Sequence, residues 1–387
     1  MPSLRRVRAA LDRVDWNFPS AGNVAKSIHS THWFPGNFIP QIPSHLIQIL
    51  STPGNIELDP FGGSGTTAIE TLKLGRHALF SDRVTACVFV SRAKLSAVRF
   101  PIEKEVKSEI LAKLAWVHLC ENDAPGIRDE GADPRLSRWY AARTLRQLRY
   151  LWKMIEEYSG PTREILEQLF SDVLFSCAST GKSKTSTGKI RRHHWGWIAD
   201  NVYPIVPVEH DSISAFQKRL IDLPEKAANL PNAKIYSFTL QQDARRLALS
   251  SSSVDLIVTS PPYVSVIDYS RANRLLYLWK GWGLDKDKGS EIGARYKRGR
   301  NRVQEQYLQE MSQCWSEFCR VLRPGGYCAL VLGESRRFPG TVDQTLKDMG
   351  RIMSLVWGPK IRILTRRRVS DRSATEAVEY VSVFKKQ

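Results

Sequence analysis

Residues 55–67 read Asn-Ile-Glu-Leu-Asp-Pro-Phe-Gly-Gly-Ser-Gly-Thr-Thr. The apolar run from Asn55 to Asp59 has the length of a buried strand, and a helical pattern, AIETLKLG, follows the glycines at once. The unit is strand, tight turn, helix. Glycines here let the backbone bend sharply and approach a ligand closely, at a helix N-terminus whose N–H groups lack intrahelical partners. A glycine-rich turn alone also fits a tight turn with no ligand. Two features narrow the reading. No Gly-Lys-Ser/Thr follows, which excludes a P-loop. Asp82 ends a second strand, HALFSD (His77 to Asp82), about 20 residues on, where a carboxylate accepts hydrogen bonds from ribose hydroxyls. A dinucleotide and an adenosyl ligand both satisfy this pattern.

Upstream of the turn lies a proline-punctuated segment, HWFPGNFIPQIPSHLIQIL (His32 to Leu50). Residues 1–30 are polar and basic and are expected to form a loosely held arm or a surface helix. From about 101 to 231 the character changes. Amphipathic helical patterns such as RTLRQLRYLWKMIEEY and TREILEQLFSDVLFS surround a low-complexity basic stretch, Ser179 to His194. This region is expected to be a helical insertion with one mobile basic loop. Alternation resumes at Lys234 to Ala244 and continues through Val254 to Ser260, then a helix, the turn Arg323 to Gly326, and a strand YCALVLG. Two further strands, Lys360 to Leu364 and Ala377 to Phe384, close the pattern. Strands alternating with helices predict an α/β fold with a mostly parallel sheet.

Hydrophobic residues make up 42% of the 387 and charged residues 25%, so a packed core is expected rather than disorder. Lys plus Arg number 57 against 39 Asp plus Glu, a net charge of +18. Such an excess suits a polyanionic partner, because each neutralised phosphate releases condensed counterions. The plainer reading is a basic protein with no such partner. The six cysteines form no CxxC pair and no zinc spacing, so no metal is expected and a reducing compartment is. The N-terminus has no apolar stretch of the secretory kind, and no run approaches 18 apolar residues, so no membrane span is expected.

The second motif is Thr259-Ser260-Pro261-Pro262-Tyr263, at the C-terminal end of a buried strand. Open α/β sheets bind ligands at that edge. Two prolines remove two backbone donors and fix φ at both, so the turn is rigid with carbonyls left to accept. A flat amine can donate to Ser260 and to the Pro261 carbonyl while its ring stacks on Tyr263. A proline turn capped by a tyrosine is the competing structural reading.

The two motifs together resemble the amino-methyltransferases, a family with a Rossmann-like sheet that uses S-adenosylmethionine. Asp59-Pro60-Phe61-Gly62-Gly63-Ser64-Gly65-Thr66-Thr67 is similar to the family's cofactor loop. Ser260-Pro261-Pro262-Tyr263 is similar to its catalytic loop, in the form typical of N4-cytosine DNA methyltransferases; N6-adenine members more often carry Asp or Asn at the position of Ser260. The resemblance extends to His32–Phe38, which includes Phe34, to Asp82 as the ribose-binding acid and to Asp243 as the adenine-contacting acid. It implies a Rossmann-like methyltransferase sheet, mostly parallel, with an antiparallel strand near the C-terminus and a helical insertion. Residues 31–100 and 232–387 are then the catalytic domain, 1–30 a basic arm and 101–231 an insertion suited to DNA recognition. Two departures stand out. The cofactor half comes first, and a long insertion separates the second strand from the third, so the family's usual recognition region is not carried over.

The implied reaction is in-line methyl transfer from the sulfonium to an exocyclic amine of a base flipped out of DNA. Three basic clusters are candidates for phosphate contact. One holds Lys182, Lys184, Lys189, Arg191 and Arg192, another Arg295, Lys297, Arg298, Arg300 and Arg302, the third Arg366 to Arg368. The middle cluster is favoured by its closeness to the catalytic loop, and any such run also fits a solvated face. His193, His194, Trp195 and Trp197 follow the first cluster and are candidates for a base wedge or for core. The resemblance further implies a role in restriction–modification, a cognate restriction endonuclease as partner, and a cytoplasmic, nucleoid-associated location. Competing readings are an N6-adenine enzyme, an RNA base methyltransferase (often Asp-Pro-Pro-Tyr), a protein-glutamine methyltransferase (usually Asn-Pro-Pro-Tyr), and a non-catalytic DNA-binding protein on a decayed fold. Intact Asp59, Gly63, Gly65, Asp82, Ser260 and Tyr263 argue against decay.

Overall fold

The computed structural model describes residues 3–18, 27–119, 133–180, 191–192, 195–204, 206–223, 230, 234–363 and 378–387. Seven strands form one sheet: β1 (Ile56–Asp59), β2 (His77–Asp82), β3 (Ser237–Gln241), β4 (Val254–Thr259), β5 (Leu322–Gly333), β6 (Ser354–Ile363) and β7 (Val378–Lys385). Their spatial order is β3-β2-β1-β4-β5-β7-β6. Pairings from β3 through β5 are parallel, and β7 runs antiparallel to both β5 and β6. The expected mostly parallel sheet with an antiparallel strand near the C-terminus is what forms.

β4 shows why a continuous apolar run makes a central strand. All six of its residues are buried, as expected where helices cover both faces of a parallel sheet. Alternate side chains go to opposite layers. Ile257 packs with Met311, Trp315 and Phe318 of α13 (Val303–Val321). Leu256 and Val258 pack with Ile42, Leu46 and Ile47 of α2 (Gln41–Leu50). On the flank of β1 and β2 lie α3 (Thr66–Lys73) and α4 (Thr85–Arg99).

The insertion is helical, as expected. It contains α5 (Lys104–Leu119), α6 (Ala142–Glu156), α7 (Gly160–Cys177), α8 (Trp195–Ala199) and α9 (Ser212–Asp222). Its apolar faces are continuous with the rest: Leu148, Leu169, Phe170 and Phe216 share one buried cluster with Leu95 and Val98 of α4. The expected basic loop at 181–190, with His193, His194 and Arg366 to Arg368, lies outside the described residues; Arg191 and Arg192 are described in backbone only, paired antiparallel with Thr180 and Ser179. Between β4 and α13 come α10 (Tyr269–Ala272), α11 (Arg274–Lys280) and α12 (Leu284–Ser290), and α14 (Thr341–Gly350) precedes β6.

Of the two N-terminal expectations, a loosely held arm or a surface helix, the helix is the one found. Residues Leu4–Asp12 form α1, and its apolar residues dock it. Val7, Leu11 and Trp16 are buried against α2 and the β6–β7 side of the sheet. Arg8 Nε donates to the Val356 carbonyl at 2.7 Å, and Trp357 Nε1 donates to Asp12 at 2.7 Å. The spacing of Val7 and Leu11, four residues apart on a helix, places both on one face. Arg5 and Arg6 are exposed, and Arg8 reaches the sheet through Val356. Replacing fully buried Leu11 by Ala is expected to cost about 2–5 kcal/mol of stability, as for other large-to-small core changes, measured by urea denaturation. A loss below about 0.5 kcal/mol is what a detached or surface arm would give.

Candidate active site

The glycine turn and the proline turn leave the same edge of the sheet from adjacent strands. Strand order reverses between β1 and β4, where open α/β sheets form a crevice. The two turns are joined directly. Thr259 Oγ1 donates to Asp59 Oδ1 at 2.6 Å, and the Phe61 N–H donates to the same oxygen at 3.1 Å.

The glycines have separate duties. A Cβ on Gly62 would fall 1.9 Å from the Phe80 ring, so only glycine lets the turn lie on β2. Gly65 caps α3 in the left-handed region and packs on Ser91. Gly63, at φ +52°, has nothing closer to its Cβ position than Phe34, at 3.6 Å. Its N–H donates to Asp82 Oδ2 at 3.0 Å, and Val84 N–H to Oδ1 at 2.9 Å. Burial pushes the Asp82 carboxyl up to about 6 in spite of these bonds.

These residues border a cavity of about 1180 Å³. Every expected donor-binding residue lines it except Gly65, and so do Ser260, Pro261, Pro262 and Tyr263. Phe34 is buried at one wall and stacks on Tyr269 at 5.8 Å between ring centres. Ser64 Oγ donates to Asn37 Oδ1 at 3.1 Å, tying the glycine turn to the segment before β1. That segment is in turn held by the insertion. Trp33 N–H donates to Asp172 at 2.7 Å, His32 bonds Ser171 at 3.1 Å, and the Trp33 and Phe175 rings stack at 3.6 Å.

At the Ser-Pro-Pro-Tyr turn, Ser260 Oγ lies 3.3 Å from Tyr263 Oη, which donates to Glu379 Oε1 at 3.0 Å. Tyr307 Oη donates to the Pro262 carbonyl at 3.0 Å. The segment after the loop is pinned by Glu291, which accepts from Tyr269 N–H at 2.8 Å and Ser270 N–H at 3.0 Å. Burial pushes its carboxyl up to about 7 against those bonds.

Some expected residues sit differently from their sequence reading. Asp243 lines the cavity, but both its oxygens face Arg245, at 2.9 and 2.6 Å. Lys297 is buried and donates to the Glu291 carbonyl at 2.6 Å. Arg295 pairs with Asp200 and lies over the Trp195 ring. Arg298, Arg300 and Arg302 are exposed, and Arg298 also borders the cavity. Trp195 and Trp197 of α8 line the cavity as well. Glu291, Arg362 and Glu379 also line it, and isolated acids and arginines far from either motif gave no signal in the sequence. Among the described residues no cluster of three metal-ligating side chains occurs, and no helix is long and apolar enough to cross a membrane.

A family model described as DNA methylase matches residues 11–111. The Type II methyltransferase M.MjaII of Methanocaldococcus jannaschii is 19% identical over an alignment covering 84% of this chain and 76% of the relative. Among solved structures, TrmN from Thermus thermophilus matches with a TM-score of 0.35 and 13% identity, over 91% of this chain and 50% of its own. The chain therefore spans half the length of that protein. The rRNA methyltransferase aviRa from Streptomyces viridochromogenes matches with a TM-score of 0.33 and 14% identity, over 98% of this chain and 96% of its own. The family match and the Type II relative both support the resemblance to the amino-methyltransferases that act on DNA. The matched model is of the N6/N4 type, a kind that takes S-adenosylmethionine as methyl donor. The residues present fit that group: Gly63, whose Cβ position meets no atom closer than the Phe34 ring, an apolar wall at Phe34 itself, and carboxyl groups at Asp59 and Asp82 on the lining.

Burial lifts the Asp59 carboxyl from 3.8 to about 6, opposed by its hydrogen bonds from Thr259 and Phe61. An acid with a raised folded pKa binds more protons folded than unfolded, so its contribution to stability is present below the unfolded pKa and is lost as pH rises through the folded one. Asp59→Asn cannot ionise, and its Oδ1 still accepts from both donors. In urea denaturation of the ligand-free protein, the variant is expected to gain up to about 3 kcal/mol relative to the unmodified chain between pH 4 and pH 7. A difference independent of pH across that window would contradict the burial of this carboxyl.

Proposed function

We propose that this chain transfers a methyl group from S-adenosylmethionine to the exocyclic amine of a base in DNA, with N4 of cytosine as target, in a restriction–modification setting. The observation that carries the reading is one cavity bordered by both the glycine turn after β1 and the Ser-Pro-Pro-Tyr turn after β4. Phe34, the turn from Asp59 to Thr67, Asp82 and Asp243 hold the donor in this reading. Gly63 N–H already orients Asp82, which leaves that carboxylate further lone pairs for ribose hydroxyls.

When bound, the donor supplies a methyl group activated on sulfonium sulfur. This chain's own residues position the acceptor. An exocyclic base amine is a poor nucleophile because its lone pair is delocalised into the ring. Hydrogen bonds from its two N–H groups to Ser260 Oγ and the Pro261 carbonyl favour a more pyramidal nitrogen. The proline pair keeps that carbonyl fixed, and Tyr307 fixes the next one along. Holding the amine in line with the methyl supplies much of the remaining acceleration. On methylation the amine would release one proton to solvent, while Ser260 Oγ and the Pro261 carbonyl would hold its N–H groups in place. The base must leave the duplex at a cost of a few kcal/mol, which stacking on Tyr263 partly offsets. Ser260, rather than Asp or Asn, is what favours cytosine over adenine here. Arg298, Arg300 and Arg302 are the exposed cations placed to meet phosphates beside the cavity. Residues 101–231, whose Trp195 and Trp197 line the cavity, are proposed to take part in recognition.

The test is nucleoside mass spectrometry of host DNA after expression, beside Ser260→Ala and Tyr263→Ala. The expected result is N4-methylcytosine with the unmodified chain alone, and loss of most of it in Tyr263→Ala while donor binding persists. N6-methyladenine would overturn the base assignment and keep the mechanism. Methylation of RNA with none in DNA would overturn the substrate.

A further inference from the structure

Three residues from three strands form a row behind the catalytic loop. Gly333 of β5 is paired with Glu379 of β7, and Glu379 with Arg362 of β6. Gly333 makes room: a Cβ there would fall 2.1 Å from the Tyr263 ring. Glu379 Oε1 accepts from the Tyr263 hydroxyl at 3.0 Å, and its other oxygen is ion-paired with Arg362. Arg362 is buried, and its Nε donates to the Trp16 carbonyl at 3.0 Å. The docked N-terminal segment thus backs the row.

The direction of these bonds has a chemical consequence. An ion-paired carboxylate only accepts, so the single phenolic proton of Tyr263 is committed to Glu379. The 3.3 Å contact between Ser260 Oγ and Tyr263 Oη then runs with Ser260 as donor. With its proton engaged, Ser260 Oγ meets a ligand only through its lone pairs. That is the polarity required by an amine presenting N–H groups. Without the carboxylate, the phenol can donate to Ser260, and the serine hydroxyl proton turns to the very place where the amine needs an acceptor.

We propose that Glu379 is a positioning residue that acts through Tyr263 to hold Ser260 as a hydrogen-bond acceptor for the target amine. This rests on the function proposed above. The experiment is single-turnover transfer of a labelled methyl group from S-adenosylmethionine to DNA by the full chain, with Glu379→Ala, Tyr263→Phe and the double variant. Tyr263→Phe keeps the ring and removes only the hydroxyl. Each single variant is expected to slow transfer by up to about 100-fold, the loss typical of a misplaced reacting group, with affinities for donor and DNA unchanged. The double variant is expected to be no slower than the slower single one, because both break the same chain of bonds. Losses that multiply in the double variant, or a Tyr263→Phe rate equal to that of the unmodified chain, would overturn the proposal; the second outcome holds even if Glu379→Ala fails to fold. An unmodified chain that methylates no DNA would instead overturn the proposed function, and this inference with it.

Discussion

The buried bond from Thr259 to Asp59 is the joint on which the site depends. It links the last residues of two neighbouring parallel strands, each of which runs straight into one of the two turns. Residues 200 positions apart are brought into register there because parallel strands end on the same edge. Asp59 cannot shift without disturbing both turns, since the same oxygen also takes the Phe61 N–H. The glycine turn is then locked from its other side, by Gly62 N–H to the Ser81 carbonyl and Gly63 N–H to Asp82. Burying two carboxyls so close to one another is unfavourable, and both are pushed up to about 6 by desolvation. The compensation is local: each accepts at least two hydrogen bonds, and bonds to charged groups are worth about 1.5–3 kcal/mol each.

The walls of the cavity are less local than its floor. The segment holding Phe34 precedes β1 in the chain, yet α7 of the insertion grips it through Asp172 and Ser171. The far wall, α8, is held by Arg274, which donates to the Ile198 and Ala199 carbonyls at 3.1 Å each. Arg274 lies in the excursion that follows the catalytic loop. The insertion therefore contacts the elements on both sides of the site, which is more than a surface appendage does. Its shared apolar cluster with α4 is consistent with that arrangement.

This distribution explains what could be read from the sequence. Asp59 to Thr67 and Ser260 to Tyr263 were legible because each turn is contiguous and needs special backbone chemistry. The strands were legible as apolar runs, and β4, buried along its whole length, was the clearest. Glu379, Arg362 and Gly333 were not legible. Their roles come from cross-strand pairing of segments that carry no motif, and pairing is set by the sheet rather than by any one strand. The docking of the N-terminal helix was not legible, because its arginines are frequent and its two buried residues, Val7 and Leu11, are few. Lys297 was placed with its basic neighbours for the same reason, although its ammonium is taken up by a backbone carbonyl.

Net charge is accordingly a poor guide to where a polyanion meets this surface. The +18 of the chain includes cations whose work is internal. Arg362 faces Glu379, Arg245 faces Asp243, Arg219 faces Asp172 and Lys297 closes the excursion after the catalytic loop. Cations engaged in this way neutralise no phosphates, so they displace none of the counterions condensed on a polyanion. Pairing also orients them: an arginine held by a carboxylate presents a fixed fork rather than a mobile charge. Arg298, Arg300 and Arg302 are exposed just beyond the buried Lys297, with Arg298 at the cavity, Arg300 over the Tyr296 ring and Arg302 beside Glu305. One basic segment thus does two things at once. Its inner half holds the excursion after the Ser-Pro-Pro-Tyr turn in shape through Lys297, and its outer half exposes positive charge beside the cavity, so neighbouring residues of one chain segment do both.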